Sequence, residues 1–297
     1  MKVIPIVAKQ CLYNSALRHS LAFDYTMAYC RLKRSQHAML PEGNIMSARL
    51  ILLYIVFPIA SYLIGSLTPG LWVGKLKGVD IRTMGSKNVG ATNVVRVLGK
   101  KFGIAVFVLD LLKGFLPTFF FAWFTAPMAS QNYFVHGIIY GACAIVGHSF
   151  SILLGFKGGK AVATGCGVFL ALSPLATLIA ASVWVVFFLI FRIVSIGSIV
   201  AAIVLPVAAV VLSLSNRELG RTWPVAVFAA AVAALILLRH RANIQRLMAG
   251  TESTFKKSKA AETQQEVEAR QPAAGEIESS EDRTDETDVN EKEGDIS

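Results

Sequence analysis

Val162-Ala-Thr-Gly-Cys-Gly-Val-Phe-Leu-Ala-Leu-Ser173-Pro174-Leu-Ala-Thr-Leu-Ile-Ala-Ala-Ser-Val-Trp-Val-Val-Phe-Phe-Leu-Ile-Phe191 is an apolar run about 30 residues long, and how it is divided decides the architecture. A helix needs roughly 20 apolar residues to cross a bilayer. The run is therefore either one tilted, kinked helix or two helices, at 162–172 and 175–191, separated at Ser173-Pro174, since proline cannot continue a helix without losing a hydrogen bond. Five further apolar runs flank it: Leu50–Leu67, Phe102–Ala126, Tyr133–Leu154, Ile193–Leu214 and Trp223–Leu238. With 54% of residues apolar and 16% charged, the chain has the composition of an integral membrane protein. The fold class expected is an all-α, polytopic membrane helix bundle.

Charge placement chooses between six spans and seven. Residues 46–252 carry 17 Lys and Arg against 4 Asp and Glu, whereas residues 253–297 carry 6 against 13. Six spans would separate the polar segment at His240 from those at 85–101 and 155–161; seven place all three in one compartment. Seven also gathers Lys75, Lys77, Arg82, Lys87, Arg96, Lys100, Lys101, Lys157, Lys160, Arg239, Arg241 and Arg246 on one side, as the positive-inside rule requires. Seven transmembrane helices are expected, with the N-terminus outside and the C-terminus cytoplasmic. Residues 1–45 form a basic extension that sits badly outside. Because Met46 directly precedes the first clear span, translation is expected to begin there. Residues 46–252 are the membrane domain, and 253–297 are expected to form a disordered, acidic cytoplasmic tail.

Three polar islands interrupt the apolar pattern. The first, Gly85-Ser86-Lys87-Asn88-Val89-Gly90-Ala91-Thr92-Asn93-Val94-Val95-Arg96, combines glycines, neutral donors and an arginine fork suited to an oxyanion. A plainer role is a loop capping a helix that starts near Val94, with Thr92 or Asn93 as N-cap and Gly99 as terminator. The second, Gly147-His148-Ser149-Phe150 followed by Gly155-Phe156-Lys157-Gly158-Gly159-Lys160-Ala161, sets paired glycines between two lysines at a helix start. Its spacing is not that of a Walker A loop, and Ala161 stands where a magnesium-binding hydroxyl would be. The third, Arg239-His240-Arg241-Ala242-Asn243-Ile244-Gln245-Arg246, places His240 and Asn243 together on a helix face. In the second span Asp110 and Lys113 share a face, as a self-neutralising pair or as functional groups.

The domain also lacks the features of several chemistries. No carboxylate follows His148 or His240 at acyltransferase-dyad spacing, there is no Gly-x-Ser-x-Gly elbow, and Cys11, Cys30, Cys143 and Cys166 form no Cys-x-x-Cys pair. Two classes remain: an enzyme acting on an activated, phosphorylated substrate, or a carrier for a phosphorylated solute. The islands gather at one face and no internal repeat is seen, which favours the enzyme.

Ser86-x-Asn88-x-Gly90-x-Thr92-Asn93-x-x-Arg96, then Gly147-His148 with Phe156-Lys157-Gly158-Gly159-Lys160, then His240-Arg241-x-Asn243-Ile244-x-Arg246-Leu247-x-x-Gly250-x-Glu252 resemble the three motifs of the bacterial acyl-phosphate:glycerol-3-phosphate acyltransferases, the PlsY family. Departures are Ala161, where the family usually has glycine, and Ser151, where proline is frequent. The resemblance covers residues 48–252. It implies acyl transfer from acyl-phosphate to the sn-1 hydroxyl of glycerol 3-phosphate, giving lysophosphatidic acid and phosphate for phospholipid synthesis. It further implies a multi-pass protein of the bacterial inner membrane with its site facing the cytoplasm. Neither metal nor other cofactor is expected, nor a nucleic-acid partner; membrane lipids and the soluble enzyme that makes acyl-phosphate are the partners implied. Ser86, Arg96, Lys160 and His240 are the expected catalytic residues. Asn88, Gly90, Thr92, Asn93, His148, Lys157, Gly158, Gly159, Asn243 and Arg246 are the expected substrate-binding residues.

Overall fold

The computed structural model describes residues 48–126, 133–215 and 219–255. The N-terminal extension, the Met46 start, nearly all of the acidic tail, and Arg217 with Glu218 lie outside these residues. Every described element is helical, those of eight or more residues being α1 (Phe57–Ser66), α2 (Pro69–Leu76), α3 (Ala91–Leu98), α4 (Lys100–Leu116), α5 (Tyr133–Ser149), α6 (Val162–Leu172), α7 (Pro174–Phe191), α8 (Val194–Ser215), α9 (Leu219–Arg239) and α10 (Arg241–Met248).

The fourth apolar run is divided where the sequence indicated. α6 ends at Leu172, Ser173 leaves helical geometry, and Pro174 opens α7 in the position where its missing N–H costs nothing. Among the described residues, five helical segments are long and apolar enough to cross a membrane: Ala48–Leu76, Lys100–Thr125, Tyr133–Leu154, Pro174–Phe191 and Val194–Leu214. A sixth combines Trp223–Arg239 with Arg241–Met248 across a 58° bend. α6, with 11 residues, rises about 16 Å, roughly half the hydrocarbon thickness. Seven apolar segments are thus present, of which α6 is a half-depth helix and not a full crossing by length.

The bundle is held by small residues that let backbones approach. Without water to drive apolar surfaces together, membrane helices associate through close van der Waals packing. Ala176, Ala180, Ala202, Ala209, Ala226 and Ala229 line the seam of α7, α8 and α9, with Phe169 and Leu205 filling the wider gaps. α4 and α6 are in close backbone contact. A Cβ on Gly114 would strike the Thr164 carbonyl oxygen, and one on Gly167 would strike that of Leu111. Large apolar side chains outside this seam, such as Ile59, Leu63, Leu178, Leu189, Val207 and Val211, face outward, as lipid contact requires.

Two breaks keep polar backbone inside the protein. The first span bends at Leu67-Thr68, where Pro69 cannot donate and both Leu71 and Trp72 turn their N–H groups to the Thr68 carbonyl. In the second, Pro117 widens the helix into a π turn and the Thr118 hydroxyl donates to Gly114 O at 2.7 Å. Asp110 and Lys113 form the internal pair anticipated above, 2.7 Å apart and almost wholly buried.

The α4–α6 contact yields a test. Gly114→Val forces the two helices apart, and overpacking of this kind costs about 1–3 kcal/mol. Thermal unfolding in detergent should show a clear loss for this variant and little change for Leu63→Val on the outward face.

Candidate functional site

Three helix ends build the site: the C-terminal end of α5, the N-terminal end of α6, and the bend between α9 and α10. The loop leading to α3 flanks them.

That loop is folded around Asn93. Its amide donates to Ile81 O at 2.8 Å and to Met84 O at 3.2 Å, while its Oδ1 accepts the Ser86 N–H at 2.8 Å. Gly85 takes a φ of +58°, and a Cβ there would run into the Asn93 amide. Asn93 is thus a buried strut with its amide engaged by its own loop, not a donor lining a pocket floor. Asn88 is local as well, its Oδ1 accepting the Gly90 N–H at 2.9 Å. Gly90 is the N-cap of α3, and Gly99, at φ +88°, ends it. The helix begins three residues before Val94, so Thr92 and Asn93 lie in its first turn and neither is the cap. Ser86 is exposed on this loop, and Arg96 projects from α3 into the region of Glu252 and Arg246.

The glycine turn is seated on α5. Gly158 donates its N–H to Ser149 O at 3.1 Å and Gly159 donates to His148 O at 3.0 Å. These two amides are engaged by carbonyls, so they are not the free oxyanion donors expected from the sequence. Glycine is needed here for closeness instead: a Cβ on Gly158 would collide with the His148 carbonyl, and one on Gly159 with the His148 imidazole. His148 is consequently buried behind the turn, and Lys157 is exposed at its tip.

Arg239 locks the arrangement. Its guanidinium donates to Gly159 O at 3.0 Å, to Ser149 O at 2.9 Å and to Gly158 O at 2.7 Å. The sequence reading placed this arginine among topology signals; its position one residue before His240, at a helix end, was the available clue.

Beyond the turn, Lys160 donates to Asn243 Oδ1 at 2.5 Å. Asn243 in turn donates to Glu252 Oε1 at 2.6 Å. Its orientation is forced, because an ammonium only donates and a carboxylate only accepts. Glu252 also accepts from Ser195 at 2.8 Å and from Arg246 Nε at 2.6 Å. Burial favours the protonated acid, yet these three donors hold the Glu252 carboxyl below its usual range. Glu252 and Ser195 were not among the residues singled out as functional.

His240 Nδ1 lies 2.8 Å from Ile236 O. A carbonyl only accepts, so Nδ1 carries the proton and Nε2 is an acceptor. Burial, reinforced by the Lys160 charge, lowers the His240 pKa to about 4, leaving the ring neutral near pH 7. Burial likewise lowers Lys160 to about 8, with Glu252 opposing and Arg246, Arg96 and Arg239 adding to the depression. Arg96 is also lowered, by burial first. Three cations, Arg96, Lys160 and Arg246, thus surround one carboxylate and a neutral imidazole.

A half-depth helix starting at a cation-rich cluster, within a bundle whose outer surface is apolar, defines an integral multi-pass membrane protein with a polar site at one end of its helices. Residues 55–250 match the family model described as Glycerol-3-phosphate acyltransferase. The chain belongs to the glycerol-3-phosphate acyltransferase family. It is 45% identical over 202 residues to the glycerol-3-phosphate acyltransferase of Desulfotalea psychrophila, covering 68% of this chain and 98% of that one. It is 44% identical over 202 residues to that of Aquifex aeolicus, covering 66% and 96%. The crystal structure of PlsY (YgiH), an integral membrane glycerol 3-phosphate acyltransferase in its glycerol 3-phosphate form, superposes with a TM-score of 0.59 at 43% identity, covering 68% of this chain and 94% of that chain. The lysophosphatidic acid form of the same protein gives 0.58 at the same identity and coverage.

The Arg239 clamp is testable. Arg239→Lys keeps the charge but cannot reach three carbonyls with one planar fork. Hydrogen–deuterium exchange should quicken in residues 155–161 of this variant and stay unchanged in α8.

Proposed function

We propose that this protein transfers a fatty acyl group from acyl-phosphate to the sn-1 hydroxyl of glycerol 3-phosphate, forming lysophosphatidic acid and phosphate at the cytoplasmic face of a bacterial inner membrane. The observation that carries this reading is the surplus of cation over carboxylate where the three motifs meet. A phosphate dianion would balance it. The glycerol 3-phosphate named for the superposed crystal form, and the family membership, supply the substrate class.

In this reading Arg96 and Lys160 grip the phosphate, with Arg246 adding positive field. Lys160 uses one N–H on Asn243 and retains two for phosphate oxygens. Glu252, through Asn243, fixes where that ammonium points. Neutral His240 offers Nε2 as acceptor to a glycerol hydroxyl, aiming its oxygen at the acyl carbon. The new C–O ester bond forms as the bond from acyl carbon to the phosphate oxygen breaks. The hydroxyl proton leaves on the departing phosphate. A mixed anhydride is activated enough for positioning and charge stabilisation to suffice. The N-terminal end of α6, beside Lys160, presents the orphan N–H groups of a first turn to the second phosphoryl group. Ser86 lies on the loop at the rim, where it meets that same group.

The topology accords with this. Lys160 and Asn243 touch, so the chain must leave and return to one face between them, which α6 to α9 accomplish as two descents and two ascents. That even number of passages accords with seven membrane segments; the external N-terminus and cytoplasmic site rest on the placement of lysine and arginine.

Purified protein in detergent, given glycerol 3-phosphate and acyl-phosphate, should release phosphate and form lysophosphatidic acid; acyl-CoA in place of acyl-phosphate should not support the reaction. Absence of phosphate release from folded protein defeats the proposal, and a carrier gives none without a sealed compartment. Arg96→Ala and Lys160→Ala should each lower kcat/KM about 10- to 100-fold, the loss of a charge-assisted contact of about 1.5–3 kcal/mol. The reaction needs the Lys160 ammonium, so kcat/KM should fall as pH rises through about 8. Lys160→Arg should move that fall to higher pH.

A further inference from the structure

Beneath the glycine turn lies a second polar layer that the chemistry above does not touch. Asp110 and Lys113, 3% and 5% exposed, form an ion pair 2.7 Å long on α4. A pair that merely cancelled its own charge would need nothing more, and an apolar pair would serve as well or better. This one continues at both ends. Lys113 Nζ donates to Leu67 O at 2.6 Å, a carbonyl open to it because Leu71 N–H is drawn to Thr68 instead of Leu67. Asp110 Oδ1 faces His148 Nδ1 at 3.7 Å, a close polar contact longer than a hydrogen bond. The His148 imidazole fills the space a Gly159 Cβ would need, its carbonyl accepts the Gly159 N–H, and the next residue is Lys160.

We propose that Asp110 and Lys113 are positioning residues for the substrate-facing turn. Lys113 fixes the depth of α4 against the break in the first span, Asp110 sets the place of His148, and His148 sets the height of Gly159 and therefore of Lys160. This rests on the acyl-transfer reading for its kinetic readout alone. Neither residue touches substrate.

Removing one partner would strand a buried charge, so the test exchanges them. Asp110→Lys with Lys113→Asp keeps a neutral pair one turn of helix apart but takes the carboxylate from His148 and the ammonium from Leu67. Thermal unfolding, kcat and KM for glycerol 3-phosphate are measured against wild type. Positioning predicts at least a tenfold fall in kcat/KM in protein that unfolds within a few degrees of wild type. A swapped enzyme with wild-type kinetics overturns the proposal. Should the exchanged protein not fold, Lys113→Arg retains the charge but replaces the compact ammonium between Asp110 and Leu67 O with a longer planar group that shifts one side of the contact, and hydrogen–deuterium exchange is read instead. Faster exchange at 155–161 than in α8 supports positioning, and unchanged exchange overturns it. A wild-type protein silent with acyl-phosphate defeats the acyl-transfer reading, and the exchange comparison still judges the positioning.

Discussion

Everything at the polar end of this bundle turns on a single carboxylate. Glu252 gathers Ser195 from α8, Asn243 and Arg246 from α10, and through Asn243 it reaches Lys160 ahead of α6. Three cations are thereby drawn round one carboxylate, which leaves a net positive charge. With two carboxylates the cluster would be an inert network; with none, mutual repulsion and desolvation would scatter it. The protonation states follow from this crowding. Lys160 is driven toward neutrality and His240 held neutral by burial among positive charges.

The bilayer imposes the second constraint. Irregular backbone is tolerated at depth only where protein covers it. The Leu67-Thr68 break is satisfied by Lys113, the Pro117 turn by Thr118, and the Ser173 bend by the Thr177 hydroxyl donating to its carbonyl. These repairs allow a half-depth helix to begin at the site, which a bundle of straight spans would not offer.

Much of this was legible in the residues. Proline after Ser173 marked the split of the fourth run, the three-residue spacing of Asp110 and Lys113 marked their pairing, and the motifs contained Arg96, Lys160, Asn243 and Arg246, which the fold gathers around Glu252. What could not be read was the choice of partner. Asn93, Gly158 and Gly159 carry groups equally able to bind an anion or a neighbouring carbonyl, and only the tertiary fold brings Ile81, Met84, His148 and Ser149 within reach. Arg239 was obscured for a related reason, since an arginine after an apolar run looks the same whether it turns to headgroups or inward. Glu252 stood in the third motif, but its role depends on Ser195, 57 residues away.

The seating of the glycine turn on α5 has an electrical consequence. A helix of 17 residues ends with partial negative charge on its last carbonyls, equivalent to about half an electron, and here that end lies against the glycine turn that leads to Lys160. Left bare, it would repel any anion near Lys160. Two glycine amides and the Arg239 fork cover the His148 and Ser149 oxygens, so α5 is muted at its tail while α6, which starts just past the glycine turn, shows its positive head. The hairpin between them acts as a rectifier for the backbone field, passing attraction and suppressing its opposite.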